Sequence, residues 1–240
     1  MGKGKLAKFR ENETFANVFQ PEITDFVNFT HPLKGRWNAD VFKNNNPIVL
    51  ELGCGKGEYT VGLARMFPDK NFIGVDIKGA RIWTGAKESN LGQMQNVAFL
   101  RTRIEIVSAF FAPDEVSEIW ITFPDPQMKK RRAKKRLTSS LFLTSYQKFL
   151  TDGGSVNLKT DSRFLCHYTL KVAQSNNLEI ERQTADLYAE PWVDDVLRIK
   201  TYYEQLHIDD GNTIHYLKFR LPRNKQLVEP VDDEETVEES

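Results

Sequence analysis

From Ile48 onward the chain alternates short apolar runs with stretches of helical spacing, and this limits the fold more than any other feature. Residues 48–52, 72–76, 97–101, 118–122, 155–159 and 178–183 read as strands, with 215–221 as a late seventh. Residues 59–66, 80–91, 104–111, 139–150 and 164–175 read as helices between them, and Asp152-Gly153-Gly154 as a turn. Regular strand–helix alternation with short connections predicts an α/β fold: a mostly parallel, doubly wound sheet of seven strands with helices on both faces. The connection 184–211 is long for such a fold, which points to a functional segment.

Composition excludes several alternatives. The 240 residues carry 33 basic and 33 acidic side chains, and 40% of the chain is hydrophobic, as in ordinary globular proteins. Cys54 and Cys166 form no CxxC pair and the four histidines are scattered, so neither a disulfide framework nor a metal site is expected. No apolar run is long enough to span a membrane and no signal-peptide pattern is present, so a cytoplasmic protein is expected. The zero net charge conceals polarity along the chain. The first ten residues contain Lys3, Lys5, Lys8 and Arg10 and no acid; the last twelve contain seven acids and no base. An acidic tail of that kind is expected to be disordered.

The first strand runs into Glu51-Leu52-Gly53-Cys54-Gly55-Lys56-Gly57-Glu58. Gly53 and Gly55 let the backbone turn sharply and approach a ligand. A dinucleotide site would carry GxGxxG, but Glu58 stands where the third glycine belongs, and a carboxylate there repels a pyrophosphate. Glu51 suits an amine-bearing ligand. Asp76 ends the second strand 19 residues after Gly57, where an acid accepts ribose hydroxyls. A nucleoside with an amine and no phosphate fits S-adenosylmethionine. The plainer alternative is a tight turn without a ligand.

The fourth strand leads into Phe123-Pro124-Asp125-Pro126 and then, over residues 129–136, seven cations in eight positions. Flanking prolines stiffen the backbone around Asp125. A carboxylate at a strand's C-terminal end, beside a cationic segment, suggests chemistry on a polyanionic substrate. A solvated loop is the alternative.

Taken together, these segments resemble the bacterial tRNA (guanine-N7-)-methyltransferases of the TrmB type. The likeness covers residues 48–221 and is carried by ELGCGKGEY, FPDKNFIGVDIKGARI, ITFPDPQMKKRRAKKRL, GGSVNLKTD and TYYEQ. The resemblance implies a Rossmann-like, S-adenosylmethionine-dependent enzyme that methylates N7 of a guanosine in the variable loop of tRNA. Carried over by position, it implies cofactor contacts at Glu51, Gly53, Gly55, Asp76, Arg103 and Asp125, with Asp125 catalytic. It implies substrate contacts at Lys129, Asp161, Thr201, Tyr202, Tyr203 and Glu204. The chain departs from the family at Gln127-Met128, where Trp-Pro is usual, at Arg132-Ala133, where histidines occur, and at Arg103, where Asp or Asn is common. Asp161 reads alternatively as a helix N-cap, and Thr201 with Glu204 as a capping box. The cations of 129–136 and the N-terminal arm are expected on phosphates, and Trp192, Tyr202 and Tyr203 against unpaired bases.

On this reading the chain divides into a basic arm (1–45), a methyltransferase domain (46–223) and an acidic, disordered tail (224–240). Monomer and homodimer stay open. The competing functions are another S-adenosylmethionine-dependent RNA or protein methyltransferase, and a non-catalytic RNA-binding module.

Overall fold

The computed structural model describes residues 3–22 and 29–231. Its strands are β1 (Val18–Phe19), β2 (Ile48–Leu52), β3 (Asn71–Asp76), β4 (Val97–Arg101), β5 (Val116–Thr122), β6 (Leu150–Thr160), β7 (Ile180–Thr184) and β8 (His215–Leu221). Its α-helices are α1 (Lys3–Asn12), α2 (Glu58–Met66), α3 (Gly79–Leu91), α4 (Ser140–Tyr146), α5 (Arg163–Ser175) and α6 (Tyr202–Asp209). The eight strands lie in one sheet of order β1-β4-β3-β2-β5-β6-β8-β7. All pairs are parallel except those of β8, which runs antiparallel to both β6 and β7.

The sheet has one strand more than the alternation predicts. β1 is two residues long and pairs with the edge of β4 through Val18–Phe99 and Phe19–Leu100, too short to leave a periodic signal. The expected helix at 104–111 is a 3₁₀ segment, Ile104–Ala109. The glycine pair at 153–154 lies inside β6 rather than between elements. There β5 shifts register, from Val116 opposite Leu150 to Glu118 opposite Ser155, and the excess residues of β6 bulge out.

Strand burial follows from this layering. All five residues of β2 are buried, as expected for a parallel strand covered on both faces. Ile48, Leu50 and Leu52 join Ala98, Leu100, Ile119 and Ile121 on one face, with α4 and α5 residues above them. Val49, Phe99 and Trp120 point to the other face, under α2 and α3.

Contacts cross the positions 45 and 224. Trp37 is fully buried, donates from Nε1 to the carbonyl of Phe110 at 2.9 Å and stacks on Phe111. Asn12, at the end of α1, donates to the Gly79 carbonyl at 2.8 Å. At the other end, Asn176 exchanges two 2.8 Å hydrogen bonds with the backbone of Val228, and Glu229 accepts from Ser140 and Tyr168. Residues 232–240, the rest of the expected tail, lie outside the described residues.

Chain order reverses at β2, with β3 and β4 on one side and β5 and β6 on the other. In an open α/β sheet the crevice beyond the strand ends at such a reversal is the ligand site.

If residues 1–45 belong to the folded unit, Trp37→Ala should cost about 3–5 kcal/mol, the usual penalty for emptying a large aromatic site. Urea unfolding should show a lower midpoint with an unchanged slope; an unshifted midpoint would make the segment a dispensable arm.

Candidate active site

The crevice is built from the loops that follow β2, β3, β4, β5 and β6 and from one helix. After β2 the backbone turns at Gly53 and Gly55, with φ of 82° and 56°, a left-handed region that side chains disfavour. No atom outside the loop itself would come closer than 3.9 Å to a Cβ at either position. A Cβ at either position would make only ordinary van der Waals contacts, so it is the left-handed backbone of this cradle that calls for glycine. The Gly55 N–H donates to Asp76 Oδ2 at 3.0 Å, and the Lys78 N–H to Oδ1 at 2.7 Å. Asp76 thus ties the glycine loop to the turn after β3. A carboxylate has about four acceptor positions, so a diol can still be accepted. The next residue, Ile77, is apolar yet 53% exposed beside this carboxylate, an apolar surface that sequence reasoning passed over. These features fit a nucleoside.

Glu51 lies beneath the loop and is 2% exposed. Its Oε2 accepts from the Thr60 N–H at 2.8 Å and from the Thr60 hydroxyl, and its Oε1 accepts from the Thr122 hydroxyl at 2.6 Å. The side chain therefore joins the start of α2 to the end of β5. Burial pushes its carboxyl up to about 7, against the pull of those three hydrogen bonds. Arg103, where the resemblance expects Asp or Asn, follows β4 and lies 3.8 Å from Glu105. Its guanidinium cannot accept a hydrogen bond.

Asp125 is exposed beyond β5, and its Oδ1 accepts from the Gln127 N–H at 3.0 Å. Phe123 and Gln127 flank it with φ of 48° and 47°. Each left-handed non-glycine residue costs roughly 1–2 kcal/mol. Such strain concentrates at functional sites. Lys129, Arg131, Arg132, Lys134 and Lys135 are exposed. Arg136 corrects the expectation of a uniformly phosphate-facing run: it is 4% exposed and packs inward against Phe164 and Tyr168. Leu137 then returns toward Gly53.

Helix α6 spans the crevice. At its start the Tyr202 N–H donates to Glu58 at 3.2 Å, and Lys56 Nζ sits 3.6 Å over the Tyr202 ring. Arg81 faces the ring of Tyr203. Near its end His207 Nδ1 is 3.4 Å from Asp161 Oδ2, and its ring lies nearly parallel to Phe123. Eight residues cover about 12 Å, so one short helix reaches from the glycine loop to the loop of Asp125. His207 is a site neighbour that the sequence did not single out, because a lone histidine carries no local pattern.

Two expectations change here. Asp161 is not the cap of α5; that role belongs to Ser162, whose hydroxyl accepts from the Leu165 N–H at 3.2 Å. Thr201 and Glu204 form the capping box of α6, with the Glu204 N–H donating to the Thr201 hydroxyl at 3.1 Å. Glu204 is fully buried, and its Oε1 lies 2.7 Å from Lys159 Nζ. Lys159 also donates to the carbonyls of Leu197 at 2.7 Å and Ile199 at 3.0 Å. Burial lowers the lysine's pKa, and Glu204 pulls it back up. A lysine inside a buried strand was the available sequence signal for this pair. Among the described residues no three His, Cys, Asp or Glu side chains gather as a metal site, and no helix is long and apolar enough to cross a membrane.

Comparison with solved structures identifies the fold. The fold matches "Structure of an Antibiotic Related Methyltransferase" with a TM-score of 0.58 at 15% identity, covering 80% of this chain and 95% of that one. It matches a 16S rRNA (adenine(1408)-N(1))-methyltransferase from Catenulisporales acidiphilia with a TM-score of 0.57 at 15% identity, covering 84% and 96%. The architecture is thus the Rossmann-like fold that these methyltransferases share.

A family profile described as "Putative methyltransferase" matches residues 45–217. The chain is 57% identical over 230 residues to a tRNA (guanine-N(7)-)-methyltransferase of Bacteroides fragilis, covering 96% of this chain and 90% of that protein. Identity to the protein of the same name from Christiangramia forsetii is 50% over 220 residues, covering 91% and 98%. The chain belongs to the tRNA (guanine-N7-)-methyltransferase family.

Two measurements test the site's electrostatics. Glu51 holds its proton more tightly folded than unfolded. The stability it contributes is therefore full below its ordinary value of 4.5 and lost as pH rises through about 7. Glu51→Gln should gain thermal stability relative to the parent between pH 5 and pH 8; a difference independent of pH would mean that Glu51 titrates normally. Lys159→Met leaves Glu204 buried without its counter-charge and should cost about 3–5 kcal/mol. Adding Glu204→Gln should recover much of that loss in urea unfolding, and a double variant as unstable as the single one would mean the pair is not coupled.

Proposed function

We propose that this protein transfers a methyl group from S-adenosylmethionine to N7 of a guanosine in the variable loop of tRNA, with Asp125 as the catalytic carboxylate. The observation that carries the reading is the convergence of the glycine cradle with Asp76, the strained loop of Asp125 and the exposed cations of 129–135 at one end of the sheet. Relatives of 50–57% identity bearing the tRNA (guanine-N(7)-)-methyltransferase name support it.

In this reading Gly53 and Gly55 admit the cofactor's backbone-hugging end, Asp76 accepts its ribose hydroxyls, and Ile77 lies against its base. Glu51 acts from beneath the loop, where a nearby amine cation would favour its ionised form. Arg103 contributes through its backbone or by stacking. The cofactor supplies the methyl group on a sulfonium centre. N7 of guanine bears an in-plane lone pair and no proton, so no general base is required. Positive charge passes to the base during transfer, and a fixed carboxylate at Asp125 stabilises that movement. Asp161 and the rim of α6, with Tyr202 and Tyr203 exposed, receive the guanosine, Thr201 and Glu204 supporting this rim from within. Lys129 and its neighbours hold phosphates, which positions the RNA without reading its sequence.

Incubation with labelled cofactor and unmodified tRNA, followed by nucleoside analysis, should yield N7-methylguanosine. Another methylated nucleoside would redirect the reading to a different RNA methyltransferase, and cofactor binding without any product would leave an RNA-binding module. Asp125→Ala should lower the single-turnover rate on the order of 10²-fold or more while retaining the fold. A normal rate in that variant would remove Asp125 from the chemistry.

A further inference from the structure

Arg136 ends the basic run in sequence but not on the surface. It is 4% exposed, and its guanidinium lies 4.7 Å from the ring centre of Phe164 and 4.3 Å from that of Tyr168. Its Nε donates to the carbonyl of Gln127 at 3.3 Å, and its Nη2 to that of Met128 at 3.4 Å. Those bonds are long, so the aromatic packing does as much of the holding as the hydrogen bonds. Tyr168 is itself fixed, because its hydroxyl donates to Glu229, which also accepts from the N–H and hydroxyl of Ser140.

The two carbonyls that Arg136 holds belong to the residues directly after Asp125-Pro126. Gln127 is left-handed and donates its N–H to the Asp125 carboxylate. A continuous set of contacts therefore runs from Phe164 and Tyr168 on α5, through one guanidinium, to the backbone that supports Asp125. A planar fork can span neighbouring carbonyls and stack on a ring; an ammonium is a point charge on a flexible stem.

We propose that Arg136 is a positioning residue for methyl transfer, setting the Asp125 carboxylate through the backbone of Gln127 and Met128, and that it makes no phosphate contact. The proposal rests on the reading of Asp125 as the catalytic carboxylate. The seven cations then have two roles, since the exposed ones meet the RNA and the buried last one shapes the loop.

The test uses the full chain carrying Arg136→Lys, Arg136→Met, Asp125→Ala, or the triple change Lys129→Ala, Arg131→Ala and Arg132→Ala. Single-turnover transfer is measured at saturating cofactor and tRNA, well below each variant's melting temperature, together with the salt dependence of tRNA affinity. Arg136→Lys and Arg136→Met should both slow transfer on the order of 10- to 100-fold, the scale of a small misplacement of a catalytic group. Their log–log salt slopes should match the parent's. The triple variant should lose roughly 0.7–0.9 of slope for each phosphate contact removed.

A slope reduced by about one contact in Arg136→Met, or a rate restored by lysine, would overturn the proposal in favour of a charge on RNA. If Arg136→Met does not fold, Phe164→Leu takes its place. That change removes one stacking wall and keeps the charge; it should slow transfer without altering the slope, and a normal rate would count against the proposal. Asp125→Ala separates the two ideas. A slow Asp125→Ala beside a normal Arg136→Lys defeats the positioning role alone, whereas a normal Asp125→Ala defeats the reading of Asp125.

Discussion

The ion pair of Lys159 and Glu204 holds the crevice together. Both side chains are fully buried, and a charge in that position is tolerated only with good partners. Lys159 has them: Glu204 and the carbonyls of Leu197 and Ile199. Glu204 in turn accepts from the Tyr188 hydroxyl and closes the capping box with Thr201. One ammonium thus fixes the end of β6, the connection that precedes α6, and the first turn of α6. Removing either charge would leave the other stranded, so the arrangement forms as a unit.

That anchor places α6 across the sheet's reversal point. The helix is short and has little amphipathic character of its own, so its position comes from tertiary contacts. It is held by Glu58 and Lys56 at one end and by Asp161 and Phe123 at the other. Ile199 adds a packing contact close to Gly62 on α2, where a larger residue would collide. The crevice consequently has Tyr202 and Tyr203 beside Lys56 and Arg81 at one end and His207 beside Phe123 at the other.

The distribution of charge matters more here than its sum. A net charge of zero says nothing about a polyanionic substrate, yet exposed cations follow the loop of Asp125. Acids with structural duties, Glu51 and Glu204, are buried, and Glu229 is tied to Ser140 and Tyr168. Local field, shaped by burial, separates the groups available to RNA from those that hold the scaffold.

Strand–helix alternation determined the sheet, because periodicity is a local property that burial on two faces imposes on each strand. The glycine turn, Asp76 at the end of β3 and Asp125 beyond β5 were legible for the same reason: each is defined by its distance from a strand end. The pairing of Thr201 with Glu204 was legible as a capping box or a base contact, since three-residue spacing serves both. Tertiary structure closed the box and buried Glu204 against a lysine on another element. It also decided that Arg136 turns inward while Lys129 through Lys135 form an exposed basic segment, and that His207 meets Asp161. These outcomes depend on contacts between segments distant in sequence, where the energetic difference lies in burial and partner geometry, and neither is written in local spacing.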